Sequence, residues 1–312
     1  MPMTLDMINN LMYDCTLCPR RCHVDRLAGQ VGFCGQTAEL KAARAALHYW
    51  EEPCISGAET SGASGSGAVF FSGCSLQCVF CQNHNISVGK AGRLISVERL
   101  AEIFLELQEK GAANINLVTG THFIPHIAYA LQTAKAKGLS IPIVYNTGSY
   151  EKTSSLRLLE GLIDIYLPDL KYVSSELSAK YSHADDYFDI ASAAISEMYR
   201  QVGSPIIDAN TELMRRGIIV RHLLLPEETK DSKKVLRYLY ETYKNDIYVS
   251  IMNQYTPLEH TAQFPPLNRS VTEMEYKRVL TFAERLGIRK GFYQEGGTAG
   301  ESFIPEFDGE GL

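Results

Sequence analysis

Along most of the chain, short β-branched and aromatic runs alternate with longer segments whose apolar positions recur three and four residues apart. The runs that predict strands are GAVFF (67–71), NINLVT (114–119), IPIVYN (141–146), IDIYLP (163–168), GIIVRHLLL (217–225), IYVSIM (247–252) and KGFYQ (290–294). SVERLAEIFLELQEKG and VTEMEYKRVLTFAERLG have the helical period, begin at Ser or Thr caps and stop at glycine. Strict alternation of strand and helix implies parallel pairing through right-handed crossovers. Six or seven such units suit a barrel-like α/β sheet.

Three segments fall outside this rhythm. Residues 1–60 are irregular and cysteine-rich, with one extended or helical stretch around ELKAARAALHYW, and end in the Gly/Ser-rich SGAETSGASGSG (56–67). That composition marks a connection and so a boundary. Residues 172–216 add a helical stretch, ADDYFDIASAAISEMYRQVG, read as an extra packing helix. Glycine-rich, acidic GGTAGESFIPEFDGEGL closes the chain and reads as a loose tail. The expected organisation is therefore a cysteine-rich extension over 1–60, a barrel-like α/β unit over 61–295 and a tail over 296–312.

Composition narrows the function classes. Of the 312 residues 45% are apolar and 21% charged, ordinary for a globular chain. The net charge of -6, with scattered basic residues, argues against nucleic acid as a partner. No apolar run approaches the roughly 20 residues of a membrane span; GIIVRHLLLP is broken by Arg221 and His222. MPMTLDMINNLMYDC lacks the basic start and apolar centre of an export signal, so a cytoplasmic location is expected.

That location changes how the cysteines are read. All eight (15, 18, 22, 34, 54, 74, 78 and 81) lie within the first 81 residues, and in a reducing compartment clustered thiols bind metal more often than they form disulfides. Cys74, Cys78 and Cys81, spaced C-x3-C-x2-C, follow directly on the strand VFFSG. In a parallel α/β fold ligands collect at the carboxyl ends of strands. A cubane cluster takes four thiolates, so three leave one iron open to a substrate or cofactor.

CSLQCVFC, including Phe80 before its last cysteine, resembles the cluster motif of the radical S-adenosylmethionine (SAM) superfamily. GSGAVFFSGCSLQCVFCQNHNIS, LVTGTHFIPHI, VYNTGSYE, DIYLPDLKY, IIVRHLLLP and IMNQYTPL together resemble its pyruvate formate-lyase-activating branch, similar to the glycyl-radical-enzyme activases. The resemblance implies an incomplete (β/α)6-type barrel and a 4Fe-4S cluster whose open iron chelates SAM. Reductive cleavage of SAM would give a 5'-deoxyadenosyl radical for hydrogen abstraction. It also implies an electron donor such as flavodoxin or ferredoxin, and a glycyl-radical enzyme as one candidate protein substrate. Another peptide, a small molecule, or a non-catalytic iron-sulfur or zinc protein are the other readings.

Carried over by position, Phe80 and Asn83 approach SAM. Thr119, Gly120 and Thr121 stand where relatives have a Gly-Gly-Glu stretch that holds the methionine amino group, without its carboxylate. Asn146, Asp169 and Lys171 end the third and fourth strands, the Asp/Lys pair beside the SAM carboxylate. Tyr145 replaces an aspartate that in some activases joins a cation site. Arg221 and His222 are neighbours on one strand and face opposite ways, Arg221 being the preferred carboxylate partner. Tyr255 reaches the site from the sixth strand.

Upstream, Cys15, Cys18, Cys22 and Cys34, with Pro and Gly bending the chain between them, form a second expected metal site. Four thiolates close a tetrahedral or cubane centre; zinc, an auxiliary iron-sulfur cluster and no metal all stay open. Cys54 reads as a buried thiol or a redox thiol near the radical site. Glu51 and Glu52 read as an exposed acidic turn or as general acids or bases, His48 and Trp50 as packing residues.

Overall fold

The computed structural model describes residues 2–57, 65–294 and 307–312. Its strands are β1 (Lys41–His48), β2 (Ser66–Phe71), β3 (Arg93–Leu94), β4 (Ile115–Val118), β5 (Ile143–Thr147), β6 (Ile165–Pro168), β7 (Ile206–Ile207), β8 (Met214–Leu223), β9 (Tyr248–Met252) and β10 (Gly291–Tyr293). All belong to one sheet ordered β10-β9-β8-β6-β5-β4-β2-β1-β3, with β7 on β8. From β2 to β10 along this path every neighbour pairs in parallel. Among the described residues the sheet does not close, which makes it a partial barrel. Each predicted strand is present, within a few residues of its expected ends.

The crossover helices follow the same logic. Val97–Glu109 starts where Ser96 accepts a hydrogen bond from the Arg99 amide, and Glu273–Leu286 starts at a capping box of Thr272 and Glu275 and ends at left-handed Gly287. Ser175–Ser182 and Tyr187–Val202 occupy the predicted extra stretch; the second buries Tyr187, Ala191, Ala194, Ile195, Met198 and Val202.

Period-two alternation sorts the strand residues between the two faces of the sheet. Val144, Ile165, Leu167, Met214 and Ile219 pack on Cys54 and Ile55, apart from the main core. Cys54 and Ile55 lie on the short helix Pro53–Ser56, and the Asn114 side chain donates to the Ile55 carbonyl at 2.7 Å. The segment after β1 therefore plugs the inner face of the sheet. Tyr145, Tyr166 and Val220 belong to the main core on the other face.

Of the two readings of ELKAARAALHYW the extended one holds: it is β1, antiparallel to β2, so the cysteine-rich extension is sewn into the barrel sheet by a strand of its own. One expectation changes. The chain end is not loose where it is described; residues 295–306 of that region, like 58–64 of the Gly/Ser connection, lie outside the described residues. The Ala45 amide donates to the Glu310 carbonyl (2.8 Å) and the Gly309 amide to the Ala43 carbonyl (3.1 Å). Arg44 pairs with Asp308 and Glu310, and Phe307 packs edge-on against Phe70 at 5.5 Å. Polar composition suggested a tail, but backbone pairing along a strand does not depend on side-chain polarity.

Deleting residues 307–312 should destabilise the fold by about 2 kcal/mol, the worth of two backbone hydrogen bonds plus part of an aromatic contact. Thermal unfolding of the truncated chain checks this, with an unchanged midpoint as the contrary result.

Candidate functional site

Strands β2, β4, β5, β6, β8 and β9 deliver their carboxyl ends to one rim. There Cys74, Cys78, Cys81, Asn83, Thr119, Asn146, Thr147, Asp169, Lys171 and Arg221 line a cavity of about 280 Å³. A second cavity, about 400 Å³, lies against it and shares Trp50, Glu51, Arg221, Met252 and Gln254 before reaching β10.

The cysteine loop is shaped by its backbone. Gly73 has φ +87°, and a Cβ on it would fall 2.6 Å from the Cys34 carbonyl, so only glycine turns the chain there. Two of the sulfurs meet a donor. The Leu76 amide points at Cys74 Sγ (3.4 Å) and the Ser182 hydroxyl donates to Cys78 Sγ (3.0 Å). Burial pushes the three thiols up, Cys81 to about 12, while Lys171 pulls all three the other way. Donors aimed at sulfur, a neighbouring ammonium and a void in front of three cysteines fit an iron-sulfur cluster with one open iron. As free thiols, neither these cysteines nor any other three Cys, His, Asp or Glu side chains among the described residues close around a single ion.

Lys171 Nζ lies 2.5 Å from Asp169 Oδ2, and both side chains are largely buried. Desolvation opposes the lysine charge, but Asp169 and Cys78 outweigh it and hold Lys171 above its ordinary range. The turn carrying this pair is fixed from outside. The Tyr187 hydroxyl lies 2.9 Å from the Asp169 carbonyl, 3.1 Å from the Lys171 amide and 3.0 Å from the Gly148 carbonyl. The extra helix thus supplies a positioning residue as well as packing, which its apolar periodicity did not reveal.

Other expected residues part company. Of Thr119, Gly120 and Thr121 only Thr119, at φ +61°, borders the cavity. A Cβ on Gly120 would strike Ile127 at 2.4 Å, and Thr121 donates to Glu151 at 2.7 Å. Phe80 and Tyr255 do not line the cavity. Their rings meet at 6.4 Å behind the loop, with Tyr172 on the other side of Phe80, and the Tyr255 hydroxyl donates to the Leu267 carbonyl. Both are buried in the apolar wall behind the loop. Asn83 makes no side-chain cap on the helix His84–Ser87 that it precedes, leaving its amide at the cavity.

On β8, Arg221 faces inward as expected and His222 outward, its Nδ1 2.8 Å from the Leu170 carbonyl. Arg221 has partners of its own. Its Nε donates to Glu52 Oε1 at 2.9 Å and its Nη2 to both Glu51 and Glu52, while the Asn116 amide donates to Glu51 Oε1 at 2.8 Å. Glu51 and Glu52 are therefore not an exposed turn; the plug carries them into the barrel. Burial raises the Glu52 carboxyl, but the Arg221 charge prevails and holds it below its ordinary range. His48 and Trp50 border the first cavity; His48 packs edge-on against Phe70 at 6.2 Å, and Trp50 is 63% exposed. Cys54 lines neither cavity, and burial pushes its thiol to about 12, a packing role.

Glu151, which no motif singled out, lies directly behind the site. It is 1% exposed, and Thr121, Tyr145 and Thr147 all donate to its Oε1 (2.7, 3.1 and 2.6 Å) while Oε2 has no partner. Tyr145, in the position of the missing aspartate, is thus a donor to a buried carboxyl. The signal was available only as Thr, Tyr and Thr on two adjacent strand ends, which reads equally as β-propensity.

An open parallel α/β sheet with three cysteines at the mouth of a polar cavity defines an enzyme of the iron-sulfur class. The family model described as Radical SAM superfamily matches residues 68–239, more than half of the chain, and the chain belongs to that superfamily. Members of this superfamily use a 4Fe-4S cluster and SAM. An uncharacterized protein of Methanocaldococcus jannaschii is 28% identical over 293 residues, covering 91% of this chain and 78% of that protein. Among solved structures, Streptococcus suis SuiB bound to the precursor peptide SuiA is similar at TM-score 0.49 and 12% identity, over 72% of this chain and 46% of that one. Methylornithine synthase (PylB) follows at 0.47 and 16%, over 68% and 59%. A domain of pyruvate-formate lyase-activating enzyme from Bacteroides vulgatus gives 0.41 and 11%, over 58% and 98%. The chain spans about half the length of the solved structures it matches first.

Burial raises the Glu151 carboxyl from 4.5 to about 7, against the three hydroxyls that lower it. A folded value above the unfolded one means that the native state keeps a proton the unfolded chain loses. Stability from this group is complete below about pH 4.5 and lost as pH rises through about 7. Glu151→Gln should remove that loss. Unfolding free energies at pH 5 and pH 8, from denaturant titrations, should converge in the variant by about 3 kcal/mol relative to the parent, and an identical pH dependence in both proteins would contradict the assignment.

Proposed function

We propose that this chain is a radical SAM enzyme that cleaves SAM reductively and abstracts hydrogen from a glycine of a partner glycyl-radical enzyme. The observation that carries the SAM part is the single cavity onto which Cys74, Cys78, Cys81, Asp169 and Lys171 all open. A cluster held by the three cysteines would supply one electron to the sulfonium of SAM, giving methionine and the 5'-deoxyadenosyl radical. The remaining work falls to the chain. Lys171, oriented by Asp169, offers a compact positive charge to a carboxylate. Asn83, Thr119 and Asn146 offer amide and hydroxyl groups around the same volume. Phe80, Tyr172 and Tyr255 seal the back of the loop and keep water from it.

The six sequence blocks similar to the activating branch support the choice of a glycyl substrate, delivered through the adjoining cavity beside β9 and β10. A flavodoxin- or ferredoxin-type protein supplies the electron. Modification of another peptide or of a small molecule uses the same cavity and differs only in what occupies the second one.

Anaerobic, iron-loaded protein given dithionite and SAM should release 5'-deoxyadenosine. Cys78→Ala should abolish release, and Lys171→Met should weaken SAM binding about tenfold, the loss of one charge-assisted contact. No 5'-deoxyadenosine from fully loaded protein would overturn the reading. Mixed with a glycyl-radical enzyme encoded by the same genome, the protein should generate a glycyl radical signal by electron paramagnetic resonance. Cleavage of SAM without that signal would exclude the glycine substrate alone.

A further inference from the structure

The N-terminal segment holds a buried charge that the site above does not use. Arg26 is 1% exposed, and its donors go to the Thr37 carbonyl (2.6 and 3.1 Å), the His122 carbonyl (2.7 Å) and Cys15 Sγ (3.9 Å). Phe123 lies under the guanidinium at 5.3 Å. No described carboxylate forms an ion pair with it. A buried cation without an ion-pair partner is costly, so an anion is expected beside it.

Around Arg26 the chain brings four free cysteines together. The Cys15 amide donates to the Val24 carbonyl and the His23 amide to the Cys15 carbonyl, both at 3.1 Å, closing one loop; the Arg21 amide to the Cys18 carbonyl (3.1 Å) closes another inside it. Cys22 stands between two left-handed residues, Arg21 and His23, a conformation that costs energy unless something holds it. From the far side the 32–35 turn folds onto it. The Phe33 amide points at Cys22 Sγ (3.4 Å), and a Cβ on Gly32 would fall 2.7 Å from that sulfur. Cys15, Cys18 and Cys34 are buried.

We propose that Cys15, Cys18, Cys22 and Cys34 bind a second, coordinatively closed metal centre, an iron-sulfur cluster or a zinc ion, whose negative charge the buried Arg26 balances. Four thiolates on a dipositive core carry a net charge of about −2, which answers the charge that no described carboxylate pairs with. Ligation draws the sulfurs inward, since metal binding and local folding are coupled. The centre abuts the first site: Gln77 Nε2 donates to the Phe33 carbonyl (2.6 Å), Arg20 Nε to the Ser75 carbonyl (2.8 Å), and Gly73 packs on the Cys34 carbonyl. An iron-sulfur occupant is placed to relay electrons, and a zinc occupant to brace the cysteine loop.

The test is metal and sulfide content of anaerobically purified protein. A Cys74→Ser/Cys78→Ser/Cys81→Ser variant should retain about four irons with sulfide, or one zinc, per chain, and adding Cys18→Ser/Cys34→Ser should remove them. Either metal supports the proposal and names the occupant. A folded triple variant that retains neither, or metal that survives the two further substitutions, overturns it. If the triple variant does not fold, the parent protein decides: about eight irons, or about four with one zinc, supports the site, and four irons without zinc overturns it. Arg26→Met should release metal from the N-terminal centre to a chelator about tenfold faster, with Arg26→Lys close to the parent. Equal release in all three proteins overturns the charge-balancing role. None of these readouts depends on SAM cleavage, so this proposal and the enzymatic one fail separately.

Discussion

The contact of Arg221 with Glu51 and Glu52 ties together parts of the molecule that sequence leaves far apart. Arg221 belongs to the long strand β8, and the two glutamates belong to the segment that follows β1. Their union fixes how deep the plug Pro53–Ser56 enters the barrel. Below the ion cluster the lumen is apolar, with Cys54, Ile55, Val144, Ile165 and Ile219; above it the cavity is polar and open to the cysteine loop. A buried ion cluster adds little net stability, because desolvation offsets the attraction. Its contribution is geometric: the planar guanidinium accepts two carboxylates in only a few arrangements, and that sets the floor of the site.

From that floor the rim follows with little freedom. The Leu170 amide donates to the Arg221 carbonyl at 2.8 Å, so the strand that carries the arginine also fixes the turn that carries Asp169 and Lys171. Tyr187 clamps the same turn from outside, and Ser182, just before that helix, reaches back to Cys78. Two contacts from one helical excursion therefore hold the lysine and one cysteine of the cavity. The lysine charge in turn offsets the thiolates that a cluster requires, which is why these groups share one cavity and not two.

Much of this was legible in the residues. Strand and helix periods gave the element order, C-x3-C-x2-C located the open loop, and the alternation of Arg221 and His222 predicted which would face inward. What escaped were contacts between segments distant in sequence. Glu51 and Glu52 look like a solvated turn until Arg221, 169 and 170 residues later, is folded against them. Tyr187 looks like one more apolar helical position, because periodicity registers a ring and not its hydroxyl. Glu151 is a single carboxylate without a motif, made notable only by burial and three donors. The chain end misled for a related reason: Gly309 and Gly311 suggested looseness, whereas their left-handed backbone lets residues 307–312 lie against β1.

The N-terminal extension takes its place in the same scheme. It enters the sheet through β1, supplies the carboxylates that meet Arg221, and presses its cysteine turns on the loop of Cys74. A detachable domain would not share a strand, a lumen and a turn with its neighbour. Segments 15–34 and 41–56 therefore act as structural members of the catalytic half. The order of the chain reflects this dependence, since the floor and the outer brace of the cysteine loop both precede the first barrel strand in sequence.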